Sequence, residues 1–433
     1  MKAGRLIDRR AFLRRGVGVG AGVGLFHIVP AAAQGRDGRP APSNRLVMGA
    51  VGVGGMGHGN TMGFVGQGDV QFVAVCDVDK GNAERTRNDI NRAYRNEDCK
   101  AYGDFRELLA RSDLDAITIG TPDHWHAIPA VMAMNAGLDV YGEKPITHTL
   151  TEGRAVADAQ QRHGCVWQTG SWQRSVGNFH WGAEMVRNGR IGKIARVEVG
   201  LPTGGVSGPA KFVDPPPNLD YDLWVGPSRW LPYCDKRTHW NWRWQLDFGG
   251  GQLMDWIGHH GDIAHWGMDC DRTGPIEIEG KGNYPTEGVW DAATTYRFTC
   301  RYRNGVEMVV GNSTRDLRSG TKWIGENGNW IWVDRGGTDA FPKDLLRERL
   351  TAADKPLYKS GSHHRNFLDC VKTRTETITP AETAHRSASI GHLGQIAMLT
   401  GRKIRWNPDT EQVLDDPGAT QMLSSPMRAP WRL

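Results

Sequence analysis

Hydrophobic and polar positions along this chain fall into two regimes. From residue 45 to residue 169 short apolar runs alternate with longer helical stretches. Leu46-Val47-Met48, Val70 to Cys76, Ala116 to Gly120, Asp139-Val140-Tyr141 and Cys165 to Thr169 read as strands. A segment starting near Met56, then Lys80 to Tyr94, Asp104 to Arg111, Ala127 to Ala136 and Thr151 to His163 read as helices. Strands and helices alternating at this spacing predict a parallel, doubly wound α/β sheet. Further on the rhythm changes. Asp291 to Arg303 places Tyr296, Phe298, Cys300 and Tyr302 on one face and Arg297, Thr299, Arg301 and Arg303 on the other, the pattern of an antiparallel strand with one dry side. Similar strands are predicted at Ile194 to Leu201, Ile276 to Gly282, Val306 to Asn312, Thr321 to Gly325 and Trp330 to Asp334, with a helix from Pro380 to Thr400. The chain thus divides into residues 44–172 and a second, α+β domain, residues 173–433, built on a mixed, mostly antiparallel sheet. Gly204 to Gly251, rich in Gly, Pro and Trp, is longer than an ordinary connection and reads as a lid.

The first residues follow a different logic. Asp8-Arg9-Arg10-Ala11-Phe12-Leu13 is a twin-arginine pattern, followed by the apolar, glycine-rich stretch Gly16 to Pro30 and by Ala31-Ala32-Ala33. That predicts a cleavable export signal over residues 1–33 and a periplasmic protein, the apolar stretch being shorter than the roughly 20 residues of a membrane span. The signal holds six of the 53 bases and one of the 48 acids. The remainder carries no net charge, which removes the support for nucleic-acid or membrane partners. Seven cysteines without CxxC spacing indicate neither a disulfide framework nor a zinc site.

The chemistry begins at Gly52-Val53-Gly54-Gly55-Met56-Gly57, between a strand and a helix, with Asp77 ending the next strand twenty residues later. Gly52 permits a tight turn, Gly54 a close approach to a diphosphate, and Gly57 close packing of helix on strand, as in a Rossmann dinucleotide site. Asp77 is placed to accept from a ribose 2′-hydroxyl and to repel a 2′-phosphate, which favours NAD; Lys80 and Arg85 keep NADP open. Asp255, His259 and Asp262 fall at i, i+4 and i+7, on one face of a helix, with His260 turned away. His124, His126, Asp255, His259 and His260 could ligate a metal only by converging, and no close ligand spacing supports it. Seven of the 17 tryptophans lie within residues 224–266, a supply of indole faces for stacking on a sugar ring, and Gln173 and Arg174 follow the last strand of the first domain as candidates for contacting one.

The ordered set of this fingerprint, Thr121-Pro122-Asp123-His124-Trp125-His126, Glu143-Lys144-Pro145 and Asp255-Trp256-Ile257-Gly258-His259-His260-Gly261-Asp262 resembles the Gfo/Idh/MocA family of oxidoreductases. The resemblance implies NAD contacts from Gly52, Gly54, Gly55, Met56, Gly57, Asp77, Asp79, Thr121, Pro122, His126 and Glu143. It implies catalysis by Lys144, which fixes the reacting oxygen, by His259 as general base, and by Asp255 as its orienting partner. It places His124, Gln173, Arg174, Trp256 and Asp262 near substrate, implies no metal, and implies a homodimer or homotetramer. His260 departs from relatives with an acid there. The activity expected is oxidation of a ring hydroxyl of a sugar or glycoside with a tightly held cofactor. The alternatives are a redox-neutral, NAD-dependent glycoside hydrolase or lyase working through a transient 3-keto sugar, and a catalytically silent sugar-binding protein.

Overall fold

A computed structural model describes residues 40–41 and 44–433; the twin-arginine segment lies outside the described residues. Residues Arg45–Leu433 form one compact unit. Its first sheet contains β1 (Leu46–Val51), β2 (Val70–Cys76), β3 (Lys100–Tyr102), β4 (Ala116–Ile119), β5 (Asp139–Gly142) and β6 (Trp167–Thr169), ordered β3-β2-β1-β4-β5-β6. All pairs are parallel. The strand order reverses between β1 and β4, so a crevice opens at their carboxyl ends, the place where such sheets bind ligands. The short β3 carries no periodicity and was not legible in the sequence.

The second sheet has nine strands: β7 (Ile194–Leu201), β8 (Glu277–Asn283), β9 (Thr295–Arg301), β10 (Glu307–Asn312), β11 (Gly320–Gly325), β12 (Trp330–Asp334), β13 (Gly337–Phe341), β14 (Ile404–Asn407) and β15 (Gln412–Leu414). Their order is β13-β12-β11-β7-β10-β9-β8-β14-β15. The β7–β10 pair is parallel and the others are antiparallel, so the sheet is mixed and mostly antiparallel. On β9, Tyr296, Phe298 and Cys300 are buried while Thr295, Arg297 and Arg301 are exposed, as the alternation requires. The helices Gly177–Arg187, Asp262–Met268 and Ala381–Thr400 pack on the apolar side.

Two features place the site. The segment 204–250 is no free flap: Leu219, Tyr221, Trp224, Val225 and Phe248 bury one another and pack on Val78, just past the end of β2. Asn218 donates to Asp79 (2.9 Å), and the Trp125 indole donates to the carbonyls of Leu223 and Trp224 (3.0 Å each). The C-terminal region also returns to the first sheet. Helix His363–Thr373 buries Phe367, Leu368 and Val371 against Phe64 and Phe72, and the Thr377 and Thr379 hydroxyls donate to the β6 carbonyls of Trp167 and Thr169. All seven cysteines are buried free thiols, and no described helix is long and apolar enough to cross a membrane.

Candidate active site

The glycine loop separates two requirements. Gly52 has φ +76°, and a Cβ on it would lie 2.6 Å from the Thr121 nitrogen; a Cβ on Gly57 would lie 1.9 Å from the Gly52 oxygen. These two glycines serve the protein's own packing. A Cβ on Gly54 would meet no protein atom nearer than 3.8 Å, and one on Gly55 none within 4 Å. Space is therefore left on the open side of the loop, at the start of helix Gly55–Val65, which has no capping side chain and no acid in its first turn. Unpaired N–H groups and the helix dipole make that end a cradle for a diphosphate, with Met56 exposed beside it. The residues present fit NAD.

Asp77 braces this loop. Its carboxylate accepts from Val53 N–H and Asp79 N–H (2.9 Å each), and burial pushes its pKa up to about 6. Each oxygen retains lone-pair capacity for a ribose hydroxyl. Arg85 donates to the carbonyls of Val53 and Gly54 (3.2 Å each), which occupies one of the two cations that kept NADP open. Asp79 faces away from a cofactor role: it caps helix Lys80–Tyr94 through Gly81 N–H (2.8 Å) and accepts from Asn218.

At the ends of β4 and β5, His126 joins two loops. Its Nδ1 lies 2.7 Å from the Pro145 carbonyl and its Nε2 2.9 Å from the Thr121 carbonyl. Burial lowers its pKa to about 4, so the neutral ring donates to one carbonyl at a time. Thr121 and Pro122 form the β4 loop beside it, and Thr121 Oγ1 is buried without a partner among the described residues. Glu143, buried and pushed upward by that burial against the pull of Lys144, accepts from Asn60 (2.7 Å) and from the Lys144 amide (3.2 Å). His124 sits among Trp125, Trp224 and Phe248 with Nε2 2.9 Å from the Trp224 carbonyl, and burial takes it to about 3. It joins the nucleotide domain to the 204–250 segment.

The reactive groups meet one step further out. Lys144 Nζ donates to Asp255 Oδ1 (2.8 Å) and to the Asp255 carbonyl (2.9 Å). Asp255 lies in the last turn of the α-helical stretch Gly251–Trp256; a π-helical turn, Ile257–Gly261, follows before the helix resumes at Asp262–Met268. Such insertions recur at functional sites because they re-aim side chains. Here the turn overturns the expectation that Asp255 orients His259. The extra residue per turn takes His259 off the face of Asp255, whose carboxylate pairs with Lys144 and lies 3.7 Å from Arg243 Nε. Burial raises the Asp255 pKa, but Lys144 and Arg243 outweigh it and hold the group below its ordinary range. Among the described residues neither ring nitrogen of His259 has a hydrogen-bond partner, and Nδ1 is enclosed. Burial first, then the charges of Lys144 and Arg335, hold His259 well below 6.5, in the neutral, proton-accepting form. Its ring lies edge-on to Trp172 and Trp256.

Other expected substrate contacts are placed elsewhere. Asp262 and Arg174 bind each other (2.7 and 2.8 Å) in full burial, with Ser387 and Asp271 taking what remains of their capacity; the helix face that was to carry Asp262 into the site turns it into the core. Gln173 is buried beneath the site, donating to the His259 carbonyl (3.2 Å) and accepting from Arg335 Nε (3.0 Å). His260 packs against Trp256 and Phe179, 3.4 Å from Asp334. Among the described residues no three of the five histidine and aspartate candidates for a metal come together. Trp256 borders the site, one ring face covered by Arg335. Sequence reasoning missed Arg243, Arg335 and Trp172. Arg243 stood inside the tryptophan-rich run and could have been noticed there; Arg335 follows β12 without a local motif.

Comparison with known proteins agrees with this fold. A family model described as an oxidoreductase-family NAD-binding Rossmann fold matches residues 46–171, and one described as the oxidoreductase-family C-terminal alpha/beta domain matches residues 207–433. A curated relative, an alpha-N-acetylgalactosaminidase of Shewanella oneidensis, is 28% identical over 215 residues, which is 44% of this chain and 45% of that relative. Among solved structures, the WlbA dehydrogenase of Bordetella pertussis in complex with NADH and UDP-GlcNAcA superposes with a TM-score of 0.59 at 17% identity, covering 84% of this chain and 99% of that one. The scyllo-inositol dehydrogenase of Lactobacillus casei, with NAD(H) and scyllo-inositol, does so with a TM-score of 0.57 at 15% identity, covering 83% and 99%. At these identities the structures share the fold.

Proposed function

This chain belongs to the Gfo/Idh/MocA oxidoreductase family, and on that ground we propose that it oxidises a ring hydroxyl of a sugar or glycoside with tightly bound NAD. The observation that carries the reading is the meeting of Lys144, at the carboxyl edge of the nucleotide sheet, with Asp255 and a neutral, unpartnered His259. NAD, when bound, supplies the acceptor for the hydride of the carbinol carbon. Lys144 donates a hydrogen bond to the carbinol oxygen and stabilises the negative charge that develops there. Asp255 keeps the ammonium in place between its own carboxylate and carbonyl. Nε2 of His259 takes the hydroxyl proton, because Nδ1 is enclosed, and the surrounding cations favour return of that proton to solvent. The 204–250 segment, docked on the nucleotide domain, excludes water from one side. Assembly as a homodimer or homotetramer and delivery to the periplasm by the twin-arginine route belong to the same proposal.

A second reading, redox-neutral cleavage of a glycoside through a transient 3-keto sugar, is favoured by the glycosidase name of the Shewanella relative. The test mixes NAD-loaded protein with nitrophenyl and methyl glycosides and free sugars and records the full absorbance spectrum. Reduced nicotinamide accumulating without aglycone supports the dehydrogenase. Aglycone release without net reduction replaces it by the glycosidase. Sugar binding without either leaves a silent binding protein and defeats both.

A further inference from the structure

Two arginines that no motif announced flank the reactive groups, each placed over two tryptophan rings. The Arg335 Cζ lies 4.8 Å from the Trp172 ring centre and 4.4 Å from that of Trp256, and Arg243 Cζ lies 4.1 and 4.7 Å from those of Trp240 and Trp242. Arg243 is committed: it faces Asp255 and donates to the Trp240 carbonyl (3.0 Å). Arg335 is not. Its Nε donates to Gln173, and no carboxylate among the described residues stands within ion-pair distance of its guanidinium. The adjacent Asp334 turns its carboxylate to the Arg335 backbone N–H (2.7 Å) and to His260. Around the site Lys144, Arg243 and Arg335 face two partly exposed carboxylates, Asp255, which is taken by Lys144, and Asp334, which is turned to its own neighbour's N–H and to His260. Asp123 and Glu143 are buried behind Asp255, and burial pushes both toward the neutral form. Three cations against two carboxylates leave an excess of positive charge, and it falls on an exposed guanidinium that lies over two indoles and whose two terminal nitrogens have no hydrogen-bond partner among the described residues.

We propose that Arg335 is a specificity-determining residue that receives a carboxylate, so that the sugar or glycoside taken by this site is an acidic one of the uronate class. A planar fork of two N–H groups matches a carboxylate with two parallel hydrogen bonds, and stacking removes the rotamer cost of presenting it. The proposal rests on the sugar reading above and refines it. It also changes what the tryptophans do: one face each of Trp172 and Trp256 holds the arginine and is closed to a pyranose.

Calorimetry on NAD-loaded protein with glucuronate, glucose, glucose 6-phosphate and glucose 6-sulfate tests it directly, alongside the nitrophenyl glucuronide and glucoside in the turnover assay. The wild type is expected to bind the uronate about tenfold or more tightly than glucose, a preference that R335Q reduces to near unity and R335K restores in part. Equal binding of acid and neutral sugar, no binding of any of them, or an R335Q variant that weakens both sugars alike overturns the proposal; the last outcome would make Arg335 a packing element for its two indoles. Preference for the phosphate or sulfate overturns the carboxylate assignment. Uronate binding that depends on Arg335 without turnover of any sugar defeats the oxidoreductase reading and leaves this one standing; oxidation of a preferred neutral sugar does the reverse.

Discussion

Breaking the Lys144–Asp255 contact probes the centre of the site without any knowledge of the natural substrate. The Nζ–Oδ1 distance is 2.8 Å, with the side chains 10% and 18% exposed. At an effective dielectric constant of about 20, two charges at that distance attract by about 6 kcal/mol before desolvation. Withdrawal of both groups from water offsets most of that, and Arg243, 3.7 Å from the same oxygen, remains as a second counter-charge when Lys144 is lost. A double-mutant cycle of Lys144→Met, Asp255→Asn and the pair, read by chemical denaturation at pH 7, is therefore expected to show a coupling of about 2 kcal/mol. The folded carboxyl titrates below its ordinary 3.8, so its stabilising contribution is fully present above that value and is lost only as pH falls through the lower folded one; the coupling should be the same at pH 5 and pH 8. Lys144→Met should retain NAD binding and, once a turned-over sugar is in hand, lower turnover by about 10²–10³, the cost of removing one donor from a developing oxyanion. A coupling under about 0.5 kcal/mol would mean that the pair is solvated in solution, and near-normal turnover of the methionine variant would remove Lys144 from the reaction.

Gly54→Ala and Gly57→Ala should separate cofactor space from packing space. At Gly54 the new methyl meets no protein atom nearer than 3.8 Å, so NAD affinity, measured by fluorescence quenching, should fall by about tenfold or more; at Gly57 the methyl would sit 1.9 Å from the Gly52 oxygen, so Tm itself should fall. An unchanged NAD affinity at Gly54 would contradict the cradle. Acid should unfold the protein early: burial lowers His124, His265 and His392 to about 3 and His126, His260 and His363 to about 4, so the unfolded chain takes up protons below 6.5 that the folded one refuses. Stability is full above pH 6.5 and is lost toward pH 4. The raised carboxyls Asp77 (about 6) and Glu152 (about 7), with Asp123 and Glu143, oppose this, but the lowered histidines, His259 included, outnumber them and stability still falls as pH falls. A Tm that stays level from pH 7 to pH 4.5 would refute it.

Local pattern carried the first sheet and most of the second because both rest on periodicities of a few residues. What escaped depends on distance or on geometry that a periodic rule does not contain. Helix His363–Thr373 is capped and amphipathic, yet nothing local says that it covers β1 and β2. The spacing Asp255, His259, Asp262 presupposes an unbroken α-helix, and the π-turn Ile257–Gly261 removes that assumption. Asp262 then finds Arg174, 88 residues earlier, and the two become a buried pair instead of two substrate contacts. Asp79 had the right neighbours for a ribose contact, but a residue just before a helix competes for its N-terminal N–H groups, and here the helix prevailed. Arg335 lacks any sequence signature because its meaning comes from Trp172 and Trp256, supplied by two other parts of the chain.

The return of the C-terminal region to β6 governs the order in which this protein can be completed on the ribosome. Thr377 closes onto Trp167 across 210 residues, and Phe367 onto Phe64 across a longer span still. While the nascent chain is shorter than that, the nucleotide sheet has one apolar flank in water and must wait, or be chaperoned, until nearly the whole polypeptide has emerged. The apolar cover of the nucleotide sheet is then completed at the close of synthesis, and a chain that ends early, even well past its reactive residues, leaves that flank bare.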